Sequence, residues 1–172
     1  MPSDIPTFDD LLAGTKRSAV HLELRDTYYS NPRFEAWQQG QRVDWDNRAS
    51  WWRPFHQQIA DAIARGVQVR RARVVSEPVT EYIRWEHYVT HANVAAGEQV
   101  RWLPRRQAID LLLPANDFWL FDDTRVEIHH FNGAGGFLED EFPEDPKLVE
   151  LCASSFERVW RRAIPHGQYE IH

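Results

Sequence analysis

The chain has 172 residues and a formal net charge of -6, with 42% hydrophobic and 27% charged residues. That is the size and composition of one ordinary globular domain, and it excludes disordered and fibrous classes. The acidic balance argues against an extended nucleic-acid surface, and no apolar run approaches the roughly 20 residues needed to cross a bilayer, so neither direct nucleic-acid nor membrane binding is expected.

The first predicted element is a short helix within a frayed start from Pro2 to Lys16, capped by Thr7 before Phe8 and ended by Gly14. Val20, Leu22 and Leu24 alternate with His21, Glu23 and Arg25, the period of a half-buried strand. Asn31 and Pro32 supply an N-cap and first turn for a helix that shows Phe34 and Trp37 on one face and stops at Gly40. Ser50 is placed to cap a longer core-facing helix carrying Trp52, Phe55, Ile59 and Ile63, with Gly66 as its stop.

Residues 67–75 read as a strand whose apolar positions change parity, Val67 and Val69 on odd positions and Ala72 and Val74 on even ones. Either both faces are covered or a bulge intervenes. Ser76-Glu77-Pro78 breaks this strand. A helix over 79–93 follows, with Tyr82, Trp85, Val89 and Ala92 on one stripe and Arg84, His87 and His91 on the other.

Four apolar runs crowd residues 98–131: Val100 to Leu103, Ile109 to Leu113, Phe118 to Phe121 and Val126 to Phe131. Together they predict most of a sheet. Gly133, Gly135 and Gly136 form a turn, and the acids from Glu139 to Asp145 read as a solvated loop or the negative start of the next helix. Pro146 opens a last long helix, with Val149, Cys152, Phe156, Val159, Trp160 and Ala163 as its buried stripe.

The lone Cys152 cannot form an internal disulfide, and no signal-peptide pattern opens the chain, so a reduced, soluble, cytoplasmic protein is expected. His87 and His91 flank no zincin pattern, because Glu86 precedes the first His, and Arg84 on their stripe would repel a cation. No metal site or cofactor is therefore expected. His129 and His130 point to opposite faces of a strand; His130 shares its parity with Val126 and Ile128.

If the strands are parallel neighbours, Ser76, Glu77, Arg105 and Asp122 arrive together at their carboxyl ends, where open α/β sheets collect ligands. The expected ligand-binding set is Ser76, Glu77, Arg84, Arg105, Asp117, Asp122 and His130. Arg70, Arg71, Arg73, Arg101, Arg105 and Arg106 are expected to form structural ion pairs with Glu77, Glu81 or Asp122, and Trp85, Trp102 or Trp119 to wall any sensor pocket.

Val74 to Pro78, Tyr82 to Arg84, Val100 to Arg105 and Asp117 to Asp122 carry a resemblance to an actinomycete family of uncharacterised domains, often encoded beside helix-turn-helix regulators. More remotely, the order of elements from Val67 to Ala163, with Phe156 and Trp160 in the last helix, resembles one half of the phospholipase D fold. The resemblance implies an α/β (or α+β) single domain over 1–172: a mixed sheet packed by helices, with a mainly helical N-terminal part, 1–66, extending a core over 67–163.

That superfamily works through His-x-Lys-x-x-x-x-Asp. Aligning Asp122 with its Asp puts Asp117 in the Lys position and Ala115 in the nucleophile position. An alanine cannot attack phosphorus, and a carboxylate would repel phosphate, so no phospholipase D-type catalytic residue is expected. The expectation is a non-catalytic regulatory or partner-binding domain acting with a helix-turn-helix regulator, with a homodimer in keeping with paired phospholipase D halves. The alternative is a hydrolase or nuclease using His129 or His130 with arginines in a cleft.

Overall fold

The computed structural model describes residues 5–29 and 31–172, so the part of the expected frayed start at 2–4 lies outside the described residues. A mixed sheet of seven strands forms the centre. In chain order these are β1 (Ser18–Glu23), β2 (Gln68–Val75), β3 (Gln99–Pro104), β4 (Phe118–Phe121), β5 (Arg125–Phe131), β6 (Phe137–Glu141) and β7 (Ile164–Pro165). Their spatial order is β6-β5-β4-β1-β2-β3-β7. β1, β2 and β3 run parallel, and the remaining pairs are antiparallel. The N-terminal part thus contributes the middle strand of the sheet.

Among the described residues six α-helices surround the sheet: α1 (Phe8–Gly14), α2 (Pro32–Gln38), α3 (Arg48–Trp51), α4 (Pro54–Ala64), α5 (Glu81–Ala95) and α6 (Pro146–Arg162). Thr7 and Asp10 close a capping box on α1. The side chains of Asn31, Thr80 and Asp145 accept backbone N–H groups at the starts of α2, α5 and α6. The expected helix from Ser50 is split in two. Pro54 lacks an N–H and disfavours a helical Arg53, so α3 ends early and α4 restarts at the proline.

One face of the sheet is apolar. Val20 and Leu22 of β1, Ala72 and Val74 of β2, Leu103 of β3, Phe118 and Leu120 of β4 and Val126 of β5 all meet Cys152, Phe156 and Val159 of α6. Cys152 is fully buried there, and burial pushes its thiol up to about 11. On the other face α1 and α4 cover Ala19, Val69, Trp119 and Phe121, while Ile83 of α5 packs with Val75, Val100 and Trp102. β1 and β2 are therefore covered on both sides. This accounts for the mixed parity of β2, which pairs without a register shift.

Two expectations for the sheet need correction. Ile109 to Leu113 is not a strand but a turn-rich loop between Pro104 and Pro114. It sends Leu111 into the α6 core and leaves Ile109 85% and Leu112 83% exposed. The flank of β3 it could have joined is taken by β7. Conversely, the acidic stretch contains β6, an edge strand that needs one partner only and whose charges guard the free edge.

Gly97 is required where the chain turns from α5 into β3. Its φ is +99°, and a Cβ there would lie 2.7 Å from Ile63 Cδ1.

Candidate functional site

The second face of the sheet carries ionisable side chains where a core would be simpler. Odd positions of β1, β2 and β5 point to it, and strand register lines them up in two rows. The first runs Arg71, His21, Trp119, Glu127, each opposite the next. In the second, Arg73 pairs with Glu23 and His129 with Asp140, while Asp117 bridges them: its carboxylate accepts Leu24 N–H (2.8 Å) and its carbonyl accepts His129 N–H (3.0 Å).

These rows floor a cavity of about 530 Å³. Its walls include Tyr28 from the segment after β1, Arg33 of α2, Arg53 and Phe55 at the start of α4, and Trp85 and Glu86 of α5. A second cavity of about 420 Å³, lined by Trp37, Trp45, Trp51 and Tyr88, adjoins it across Arg33, Arg53, Trp85, Val89 and Asn93.

The arginines are held by acids. Glu23 receives both Arg71 (3.0 Å) and Arg73 (2.9 Å); Arg71 also pairs with Glu98 at 2.5 Å, and Arg73 with Glu86. Asn93 donates to the other Glu98 oxygen at 2.8 Å. Burial weakens the charge on Arg71, but Glu98 and Glu23 outweigh it and hold the guanidinium fully protonated. Their partners therefore differ from the expected Glu77, Glu81 and Asp122. Arg70, on the opposite face, pairs with Glu157 at 2.6 Å.

Asp117 is 2% exposed and accepts the Tyr28 hydroxyl as well as Leu24 N–H. Burial, reinforced by Glu23, raises its carboxyl to about 6 despite those donors. Burial and Asp140 push Glu127 up to about 7, and burial against Arg73 leaves Glu86 at about 7. His21 stacks on Trp119 at 4.4 Å; burial, then Arg71, His129 and Arg73, keep it neutral. His129 Nδ1 lies 2.6 Å from Asp140 Oδ1. Glu127, His129 and Asp140 each offer one ligand atom within 4.8 Å of the others, the donor set of a possible cation site.

Of the expected ligand-binding set Asp117 alone lines this cavity, which also takes in Trp85 and Trp119 from the expected pocket walls and His129, Arg71 and Arg73 from the hydrolase alternative. Ser76 and Arg105 do meet at the carboxyl ends of β2 and β3, but as a clamp. Ser76 Oγ donates to Asp26 (2.6 Å), while Arg105 donates to Ser76 Oγ (3.0 Å) and to the carbonyls of Leu24 and Val74. Glu77 is half-buried beside them, and Arg84 is exposed on α5.

Asp122 does not join that group, because β4 runs antiparallel to β1 and carries it to the opposite end of the sheet. There it opens the β4–β5 turn at φ 52° and accepts N–H groups from Lys16, Arg17 and Ser18 at 2.7–3.0 Å. Burial opposes its ionisation, but those donors and Arg17 hold its carboxyl below the ordinary range. His130 points to the α6 side and meets Glu141 at 2.7 Å at the sheet edge, so His129, not His130, faces the cavity. Trp102 is fully buried against Tyr169. His87 packs against Trp102 and His166.

Glu23, Glu86, Glu127 and Asp140 are lining residues that the sequence patterns left out, while Arg71 and Arg73 belong to the expected arginine cluster. A signal existed in the odd parity of Glu23, Arg71 and Arg73 within strands, and in Glu127-x-His129 across a hairpin from Asp140.

Comparisons with known proteins locate the fold more than the chemistry. Residues 6–171 match the family described as Domain of unknown function (DUF6879). No curated protein matches. Among solved structures the chain is similar to a phospholipase D family member, Nuc from Salmonella typhimurium, at 14% identity and a TM-score of 0.50, over 91% of this chain and 86% of that one. It is also similar to TrmBL2, an archaeal chromatin protein, at 11% identity and a TM-score of 0.48, over 90% of this chain and 47% of that one. The first likeness agrees with the mixed α/β architecture. In the described residues no helix is long and apolar enough to cross a membrane.

Proposed function

The chain belongs to the DUF6879 family, and from that premise we propose that it is a regulatory domain that binds a small polar ligand in the cavity on the charged sheet face, without phospholipase D-type hydrolysis. The observation that carries this is the buried charge. Glu23, Arg71, Arg73, Glu86, Glu98, Asp117 and Glu127 are each at most 9% exposed. Burying ion pairs costs desolvation that apolar residues avoid, so stability alone does not account for this face. Arg33 and Arg53 at the mouth are suited to an anionic group, and Asp117 at the floor to a donor.

With Asp122 set at the Asp of the phospholipase D motif, Ala115 and Asp117 fall at its nucleophile and phosphate-binding lysine positions, which supports a binding role over hydrolysis. The acidic net charge and the resemblance to domains encoded beside helix-turn-helix regulators support transmission to such a regulator, with a homodimer as the proposed unit. Co-purification with the neighbouring regulator tests this part, and recovery of no complex from folded partners counts strongly against it.

Thermal melting across a library of small polar metabolites tests the ligand. A ligand at 100 times its Kd adds about 2.7 kcal/mol and raises the midpoint. Asp117→Asn keeps the shape and is expected to lose the shift. A library that moves nothing, in chelated and metal-supplemented protein alike, sinks the ligand reading.

One geometry favours a second reading, a hydrolase. His129 faces the cavity with Asp140 against its ring nitrogen, an arrangement that suits a general base. A phosphodiester panel separates the two. Turnover abolished by His129→Ala and untouched by His130→Ala supports the hydrolase, and turnover that survives both removes it.

A further inference from the structure

Within the cavity, the acids at the β5–β6 end differ from those at the centre. Glu23, Glu86 and Glu98 are matched by Arg71 and Arg73. Among the described residues no arginine or lysine forms an ion pair with Glu127 or Asp140, whose one basic neighbour is the imidazole of His129. Glu127 is 4% exposed, and its Oε2 is buried without a hydrogen-bond partner. Both carboxylates offer only acceptors when ionised, so neither can satisfy the other. A buried acceptor left in this state is costly unless a proton or a cation fills the gap.

The backbone builds the cluster without loops. Glu127 and His129 are two apart on β5 and so share a face, and Asp140 is the register partner of His129 on β6. Two carboxylates and one imidazole suit a divalent first-row ion such as Zn²⁺ or Mn²⁺, whose charge would balance the two acids. His21, whose Nδ1 is also buried and unpartnered, sets its ring edge-on to that of His129 at 5.5 Å. We propose that Glu127, His129 and Asp140 bind a divalent transition-metal ion on the cavity floor. His21 orients the site rather than ligating the ion, and the open side of the ion faces the cavity. The site is independent of the organic ligand proposed above, since an ion can bind whether or not a metabolite does.

The test uses the full chain, stripped with chelator and then titrated with Zn²⁺ by calorimetry and with Mn²⁺ by electron paramagnetic resonance. One ion per chain is expected. Loss of a residue that only hydrogen-bonds a metal ligand typically weakens metal affinity about 10–100-fold, and loss of a ligand itself is expected to cost at least that. Glu127→Gln and His129→Ala should each do so, while His130→Ala, on the opposite face, should bind like the parent. If either cavity variant fails to fold, Asp140→Asn, on the edge strand, takes its place. Absence of stoichiometric binding by the parent overturns the proposal and leaves a proton shared between Glu127 and Asp140. Binding that persists undiminished in folded Glu127→Gln and Asp140→Asn overturns it equally.

Discussion

The two faces of the sheet are made by the same strands and solve opposite problems. Under α6, even positions of β1, β2, β4 and β5 give Val20, Leu22, Ala72, Val74, Phe118, Leu120 and Val126, which pack with Phe156 and Val159. Under α2, α4 and α5, odd positions of β1, β2 and β5 give His21, Glu23, Arg71, Arg73, Glu127 and His129, with Asp117 just ahead of β4. The first face rests on non-directional burial, in which neighbours substitute for one another. The second depends on specific charge pairs, in which one missing member leaves a buried charge facing its own desolvation cost.

The contrast is sharpest for single substitutions at the centre of the charged face. Glu23→Ala removes the carboxylate shared by Arg71 and Arg73 and is expected to destabilise by about 3–5 kcal/mol in denaturant titration. A cost below about 1 kcal/mol would mean that the pairs are solvated in practice.

His56, 1% exposed in the wall of the adjoining Trp-lined cavity, extends the contrast to pH. Its Nδ1 accepts Arg53 N–H, so the proton of the neutral ring sits on Nε2, which has no partner. Burial, then Arg53 and Arg33, lower its pKa to about 4 from the ordinary 6.5. The folded state therefore binds this proton less readily than the unfolded one. Stability is intact above pH 6.5 and is lost as pH falls toward 4, by about 3 kcal/mol for this group. His56→Asn, which keeps an acceptor, should flatten that part of the acid limb, and an unchanged difference between pH 7 and 4 would refute the assignment.

Wholesale replacement breaks the comparison instead of sharpening it. Leucine or methionine at Glu23, Arg71, Arg73, Glu86 and Glu98 together is expected to leave stability unchanged or raise it by about 1–3 kcal/mol, while metabolite-induced melting shifts disappear. An unfolded product would show that the network specifies the fold. The smallest effect belongs to the apolar face. Phe156→Leu should cost about 1 kcal/mol, because neighbouring side chains can relax around it.

Much of the scaffold was legible because its signals are local. Asn31-Pro32, Thr7 and Gly66 mark helix ends through backbone hydrogen bonding, and α6 announces itself through Cys152, Phe156 and Val159. The misreadings share a cause. Ile109 to Leu113 has strand-like composition but no free partner, whereas β6 has loop-like composition and an available one. Strand pairing is decided by the neighbour as much as by the residue. Asp117 was found through a motif, although the same motif also carried Asp122, whose work is to hold the start of β1.

What the amino-acid sequence by itself determined was the alternation of the strands and the caps and stripes of the helices. Each depends on residues within a few positions of one another. Which face each strand presents to which neighbour was decided by the tertiary structure alone. β1 had to enter between β4 and β2 before Glu23 could meet Arg71 and Arg73, and β6 had to pair with β5 before Asp140 could meet His129. Pairings between residues 48 and 11 positions apart are set by strand order and register, and a linear pattern does not encode those in any one stretch.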